Sequence, residues 1–79
     1  MTQNIKKIPI SILPIRLGQF LKLAEMAQDG LEAKMRIQNG EVRVNGQVET
    51  RRGKQLGDED LVSLGRTTCM VYLTKQQEE

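Results

Sequence analysis

The spacing of hydrophobic residues changes several times along the chain, and each change marks a new structural element. Ile8, Ile10 and Ile12 are two residues apart, which predicts a short β-strand. Pro9 lies within this strand and has no N–H to donate, so the strand is expected at the edge of a sheet. Pro14 is expected to end it.

From Leu17 onwards the hydrophobic residues follow the period of a helix. This first helix is predicted to end at Ala27 or Gln28. Its buried face would be formed by Leu17, Phe20, Leu21 and Ala24.

A second helix is predicted to begin after Asp29, whose carboxylate can accept a hydrogen bond from a free N–H of the first turn. Glu32 is expected to reach back to the N–H of Asp29 and so complete a capping box. Ala33 and Ile37 share the buried face of this helix. Gly40 suits the left-handed position that ends a helix.

A β-hairpin is predicted after the second helix. Val42 and Val44 alternate with charged residues, and Asn45-Gly46 suits a type I′ turn, in which both central residues have positive φ. Two further strands are predicted at Leu61–Leu64 and Thr67–Leu73.

The length of 79 residues corresponds to a single domain spanning residues 1–79, whose ends at 1–7 and 75–79 are polar and expected to be frayed. Phe20 and Tyr72 are the only aromatic residues, so aliphatic side chains must form the core. No run approaches the roughly 20 apolar residues of a membrane helix. Cys69 is the single cysteine, which fits a reducing cytoplasm.

The residue types needed for most enzyme chemistry are missing. There is no histidine, and Asp58, Glu59 and Asp60 lack the spacing of a calcium loop. Cys69 lies in an apolar strand pattern, which is typical of a buried, unreactive thiol. The chain also lacks a glycine-rich phosphate loop and a serine nucleophile motif. We therefore expect a protein that is not an enzyme and that uses no metal, cofactor or small-molecule substrate.

Basic residues are concentrated in one part of the chain. Residues 16–54 hold eight basic and five acidic residues, a net charge of +3, whereas residues 55–79 hold two basic and five acidic residues, a net charge of −3. This asymmetry predicts a face that binds a polyanion. The candidate phosphate contacts are Lys34, Arg43, Arg51, Arg52 and Lys54, with Lys22 and Arg16 at the rim. With so few aromatics to stack bases, recognition of backbone and shape, as in structured RNA, is expected.

These residues resemble the S4 RNA-binding domain family. The resemblance rests on Arg16-Leu17, on Ala33 and Ile37 four residues apart, and on Gly40-Glu41-Val42-Arg43-Val44-Asn45-Gly46. It extends from about residue 16 to residue 62. Among S4 domains, the chain is similar to the small stand-alone bacterial group of the YaaA and YbcJ type.

The resemblance implies an α+β domain of the S4 fold, also called αL, with two short helices packed on a small, mainly antiparallel sheet of about four to five strands. It implies that the second helix and the hairpin bind structured RNA of the ribosomal or transfer RNA class, in translation or ribosome biology. The protein would act as a cytoplasmic monomer, with the ribosome as a further candidate partner.

Two positions depart from the family pattern. Gly18 stands where many S4 domains have Asp, and Asp29-Gly30 stands where many have Ser-Arg. The missing arginine removes one typical RNA contact, and it shifts the expected contacts towards Lys34 and the loop at residues 51–54.

Other functions remain compatible with parts of the pattern. Leu31 and Met35 lie opposite the buried face of the second helix, so they form either a second buried face or an exposed patch for a protein partner. A helix-turn-helix DNA-binding protein also has two short helices, although the strands that follow argue against that class. A ubiquitin-like sulfur carrier would need a C-terminal Gly-Gly, whereas this chain ends Gln76-Gln77-Glu78-Glu79.

Overall fold

Residues 4–74 are described by the computed structural model, and this part of the chain contains two helices and seven strands. The helices are α1 (Leu17–Leu23) and α2 (Gly30–Gln38). The strands are β1 (Ile5–Ile10), β2 (Ile15–Arg16), β3 (Val42–Val44), β4 (Gln47–Val48), β5 (Gln55–Leu56), β6 (Leu61–Leu64) and β7 (Thr67–Leu73). Neither helix in this range is long and apolar enough to cross a membrane.

The main sheet has five strands in the order β1-β7-β6-β3-β4, and β2 and β5 form a separate antiparallel pair. β1 runs parallel to β7, whereas the other neighbours are antiparallel. The predicted α+β fold with a mainly antiparallel sheet is therefore confirmed. β1 is an edge strand, as the missing N–H of Pro9 requires.

One hydrophobic core joins the two helices to one face of the main sheet. Because side chains alternate between the faces of a strand, Val42 and Val44 are buried while Arg43 between them is exposed on the other face. The helices contribute the predicted residues Leu17, Phe20, Leu21, Ala33 and Ile37, and the sheet contributes Ile8, Ile10, Val62, Cys69 and Val71.

α1 ends earlier than its hydrophobic pattern predicts, at Leu23 instead of Ala27 or Gln28. The N–H of Met26 donates to the carbonyl of Leu21 (2.9 Å), and the N–H of Glu25 donates to that of Lys22 (3.0 Å). Glu25 adopts a left-handed conformation with φ 61°. This is the hydrogen-bond pattern of a Schellman motif, but with a glutamate where glycine is usual, so the sequence carried no stop signal.

α2 begins and ends as predicted, with one change in its cap. Oδ1 of Asp29 accepts from the N–H of Glu32 (2.8 Å), and Gly40 has the left-handed conformation expected after the helix (φ 78°). The side chain of Glu32, however, accepts from the N–H of Gln28 (2.7 Å) and not from that of Asp29. The fully extended backbone of Asp29 (φ −154°, ψ −177°) brings the preceding N–H within reach instead.

β1 begins and ends earlier than predicted. Residues 5–7, which were expected to be frayed, pair with Thr68–Met70 of β7. Ile12 lies beyond the strand and is 78% exposed. Pairing with β7 continues the strand into the polar residues that precede Ile8. The alternation of isoleucines, which starts at Ile8, does not reveal this polar part of the strand. Residues 1–3 and 75–79, the rest of the expected frayed ends, lie outside the described residues.

Candidate nucleic-acid interface

The loop between β4 and β5 is fastened to the first turn of α1. The N–H of Leu17 donates to the carbonyl of Lys54 (2.8 Å), and the N–H of Gly18 donates to the carbonyl of Arg52 (3.0 Å). N–H groups at the start of a helix have no acceptor within the helix, so these loop carbonyls satisfy two of them. The antiparallel pairing of β2 with β5 runs directly into these contacts and holds the same two segments together.

Four basic residues from four separate segments meet at this junction. They line one open depression, which we call the cationic groove: Arg16 of β2, Lys22 of α1, Lys34 of α2 and Arg52 of the loop. The remaining lining residues are uncharged, namely Gly18, Gln19, Gly30, Ala33 and Gly53. A surface with four cations and no carboxylate in its lining attracts anions.

No carboxylate within residues 4–74 forms an ion pair with a groove cation. The ion pairs found within residues 4–74 involve Arg36 and Arg51 only, and neither residue lines the groove. Four of the seven basic residues predicted as contacts thus lie together with their charges available to a ligand.

Arg51 is held by Glu49. The Glu49 carboxylate accepts from Nε (2.9 Å), Nη2 (3.3 Å) and the backbone N–H (3.0 Å) of Arg51. The side-chain hydrogen bonds, followed by the backbone one, lower the pKa of Glu49 from its ordinary value of 4.5 to about 2. Residues two apart in extended chain project to the same side, so this pair was a signal available in the sequence. The charge of Arg51 is already partly compensated.

The two remaining predicted contacts are placed differently. Lys54 is next to the groove through its carbonyl, but its side chain does not line it. Arg43 is on the face of the sheet that points away from the helices, where Nη1 donates to the carbonyl of Gly46 (3.4 Å). Arg43 therefore does not join the groove cations.

Arg36 lies in the last turn of α2 and forms two ion pairs there. Its guanidinium pairs with Glu41 (2.8 Å) and with Glu32 (3.2 Å). The hydrogen bond to Glu41, and then the one to Glu32, raises the pKa of Arg36 above its ordinary value. Arg36 does not line the groove.

Asn45 and Asp60 stabilise the hairpin. Asn45 and Gly46 have φ of 52° and 86°, as a type I′ turn requires. Oδ1 of Asn45 accepts from the N–H of Leu61 (2.9 Å), and Nδ2 donates to Asp60 (3.1 Å). Asp60 also accepts from the N–H of Gly57 (2.8 Å). These side chains therefore serve the fold of the β3–β4 turn and the start of β6.

Gln19 and the two glycines Gly18 and Gly30 line the groove although the sequence did not mark them as contacts. Gly18 packs against the loop, and a β-carbon there would lie 3.6 Å from the carbonyl oxygen of Arg52, which is an ordinary van der Waals contact. Gly30 has open space around it. Oε1 of Gln19 accepts from the N–H of Arg16 (3.4 Å). The helical spacing of Gly18, Gln19 and Lys22 was the available signal.

Two features of the sequence receive a structural explanation. Cys69 is buried, and burial raises the pKa of its thiol, as expected for an unreactive cysteine.

Leu31 and Met35 are 67% and 54% exposed, so they form an exposed patch and not a second buried face. No group of three or more potential metal ligands occurs among the described residues.

Comparison with known proteins connects this geometry to a family. The S4 domain profile matches residues 8–72. The probable ribosome maturation protein RlbA of Bacillus subtilis (strain 168) is 47% identical over 58 residues, which are 71% of this chain and 82% of that protein. The solution structure of YbcJ from E. coli, described as revealing an alfaL motif involved in RNA-binding, matches with a TM-score of 0.68 and 29% identity, covering 91% of this chain and 92% of YbcJ. Since the profile spans most of the chain and agrees with the fold, the chain belongs to the S4 domain family.

Proposed function

We propose that this protein is a non-catalytic RNA-binding module that holds the phosphate backbone of structured RNA in the cationic groove. The observation that carries the proposal is the convergence of Arg16, Lys22, Lys34 and Arg52 on one surface with no carboxylate in its lining. Binding of a nucleic acid to such a surface is driven by the release of the cations condensed on the nucleic acid. The RNA-binding motif described for YbcJ supports RNA as the anion.

Recognition through the backbone is favoured over stacking of bases on aromatic rings. Phe20 is fully buried in the core, and no aromatic residue lines the groove. Tyr72 lies on the sheet face away from the helices, where Nζ of Lys7 is 5.4 Å from the centre of its ring. A groove without rings matches paired RNA, whose phosphates are the accessible groups.

The target belongs to the ribosomal or transfer RNA class, and the module acts in the cytoplasm as a monomer in ribosome biology. The name of the relative RlbA, a probable ribosome maturation protein, supports this assignment. The ribosome itself is a further candidate partner.

The predicted contacts have different weights in this proposal. The four groove cations contact phosphates directly, and Lys54 adds charge at the edge. Arg51 contributes less, because Glu49 compensates its charge. Arg43, on the other face of the sheet, contacts only an RNA large enough to reach around the domain edge.

A salt titration tests the proposal. If about four to six phosphates are neutralised, a plot of log affinity for an RNA hairpin against log salt should have a slope of about −3 to −5. Fluorescence anisotropy with a labelled hairpin measures the affinity at each salt concentration. A flat plot, or no binding at low salt, would rule the proposal out.

A second candidate function is docking of a protein partner on α2. The exposed side chains of Leu31 and Met35 are one helical turn apart and face away from the core. Replacing both by Gln should leave RNA binding unchanged. If cells that carry this double variant show the same defect as cells without the protein, while RNA binding in vitro is intact, protein docking is the principal function.

A further inference from the structure

An exposed apolar surface lies beside the cationic groove. Ile12 is 78% exposed and Leu23 is 59% exposed, and together with Pro14 and Ile15 they line one depression, which we call the apolar shelf. The side chain of Ile12 lies beyond β1 and is not part of the core. Exposed apolar side chains that adjoin one another mark a binding surface more often than single exposed ones do.

The apolar shelf and the cationic groove share a border. Gln19 and Lys22 line both depressions, and the lining of the shelf contains no acidic residue. On α1, Gly18 and Lys22 face the groove, while Gln19 and Leu23 come next around the helix. A ligand that places an anion against Lys22 therefore has apolar side chains immediately next to that anion.

We propose that the apolar shelf receives the base of an unpaired nucleotide that adjoins a paired stem held in the groove. This inference rests on the proposed function and names the kind of RNA that the site prefers. A nucleotide joins a phosphate to a flat base with apolar faces, which is the combination that the border presents. Unpaired RNA bases can leave the stem and pack against side chains.

Gln19 supplies a polar group at the same border. Its Oε1 accepts from the N–H of Arg16 (3.4 Å), and its NH2 group makes no hydrogen bond within residues 4–74. This NH2 group can donate to a carbonyl or ring nitrogen on the edge of a base. The shelf thus offers apolar contact to the face of a base and one donor to its edge.

Two RNA hairpins with the same stem test the inference, one fully paired and one with a single bulged 2-aminopurine. We expect the protein to bind the bulged hairpin about fivefold to tenfold more tightly, on the scale of burying a few tens of Å² of apolar surface. Fluorescence of 2-aminopurine should rise on binding, because the base leaves the quenching stack and meets aliphatic side chains.

The double variant Ile12→Ser/Leu23→Gln should lose this preference and keep its affinity for the paired stem. Leu31→Gln is the matched control, since it removes a similarly exposed leucine from α2 and should keep the preference. If the double variant does not fold, the change in 2-aminopurine fluorescence on binding to the unmodified protein decides whether the shelf receives the base.

Equal affinity for both hairpins, or an unchanged fluorescence, overturns the proposal that the apolar shelf receives a base and leaves the proposed function intact. Absence of salt-dependent binding to either hairpin overturns the proposed function itself.

Discussion

The carbonyl oxygen of Arg52 accepts a hydrogen bond from the N–H of Gly18 at 3.0 Å, so a residue that supplies a groove cation also caps the first helix. The cap uses the backbone, whereas the charge is on the side chain. The side chain can therefore be changed without removing the bond that fastens the loop to α1.

Arg52→Gln should weaken binding to structured RNA about fivefold and reduce the steepness of the salt dependence by about one unit, because one phosphate contact is lost. Thermal stability should be unchanged. Arg66→Gln is the matched control, since Arg66 is exposed in the β6–β7 turn and does not line the groove. Equal losses for the two variants, measured by anisotropy, would indicate diffuse attraction and no defined site.

Gly30→Arg should strengthen RNA binding. A side chain at residue 30 enters open space at the edge of the groove, and it restores the cation that many S4 domains have there. We expect affinity to rise about threefold to tenfold and the salt dependence to steepen by about one unit. Gln38→Arg adds the same charge to the other end of α2, outside the groove, and should have a smaller effect. An equal gain from both variants would contradict a localised site.

Asn45→Gly should destabilise the fold by about 1–2 kcal/mol. Glycine keeps the left-handed conformation of residue 45 but loses the two side-chain hydrogen bonds, from the N–H of Leu61 and to Asp60. Urea denaturation followed by circular dichroism measures the change. Asn45→Ala should be more destabilising, because alanine also disfavours positive φ. Unchanged stability of Asn45→Gly would show that the bridge to β6 contributes little.

Glu49 should make stability depend on pH under acidic conditions. Its pKa is lowered in the folded state from 4.5 to about 2, so the stabilisation from Arg51 is present above pH 4.5 and is lost as the pH falls towards about 2. The unmodified protein should lose stability over this window more steeply than Glu49→Gln. Because Arg51 is largely exposed, the difference should be small.

Urea denaturation of both proteins at a series of pH values measures this difference. Glu32→Gln is the comparison variant. It also removes a carboxylate from an ion pair, but its partner Arg36 keeps a second carboxylate in Glu41. Parallel stability curves for the unmodified protein and Glu49→Gln would show that the ion pair does not form in solution.

Elements that depend on neighbouring residues could be predicted from the sequence. Asp29 and Gly40 mark the ends of α2, and Asn45-Gly46 marks the hairpin turn, because each of these conformations is decided by the residue itself and its nearest hydrogen-bonding groups. The end of α1 could not be predicted, since Glu25 takes up a left-handed conformation that its own side chain does not favour.

The sequence by itself determined the α+β class, the buried faces of the helices and the excess of positive charge in residues 16–54. Only the tertiary structure decided which charges act together. Arg16 and Arg52 are distant in sequence but meet because β2 pairs with β5, whereas Arg43 and Arg51, which lie closer to Arg52 in the chain, are turned to another face or paired with Glu49. Charge in a sequence is only a sum, and its action on a ligand depends on distances set by long-range backbone pairing.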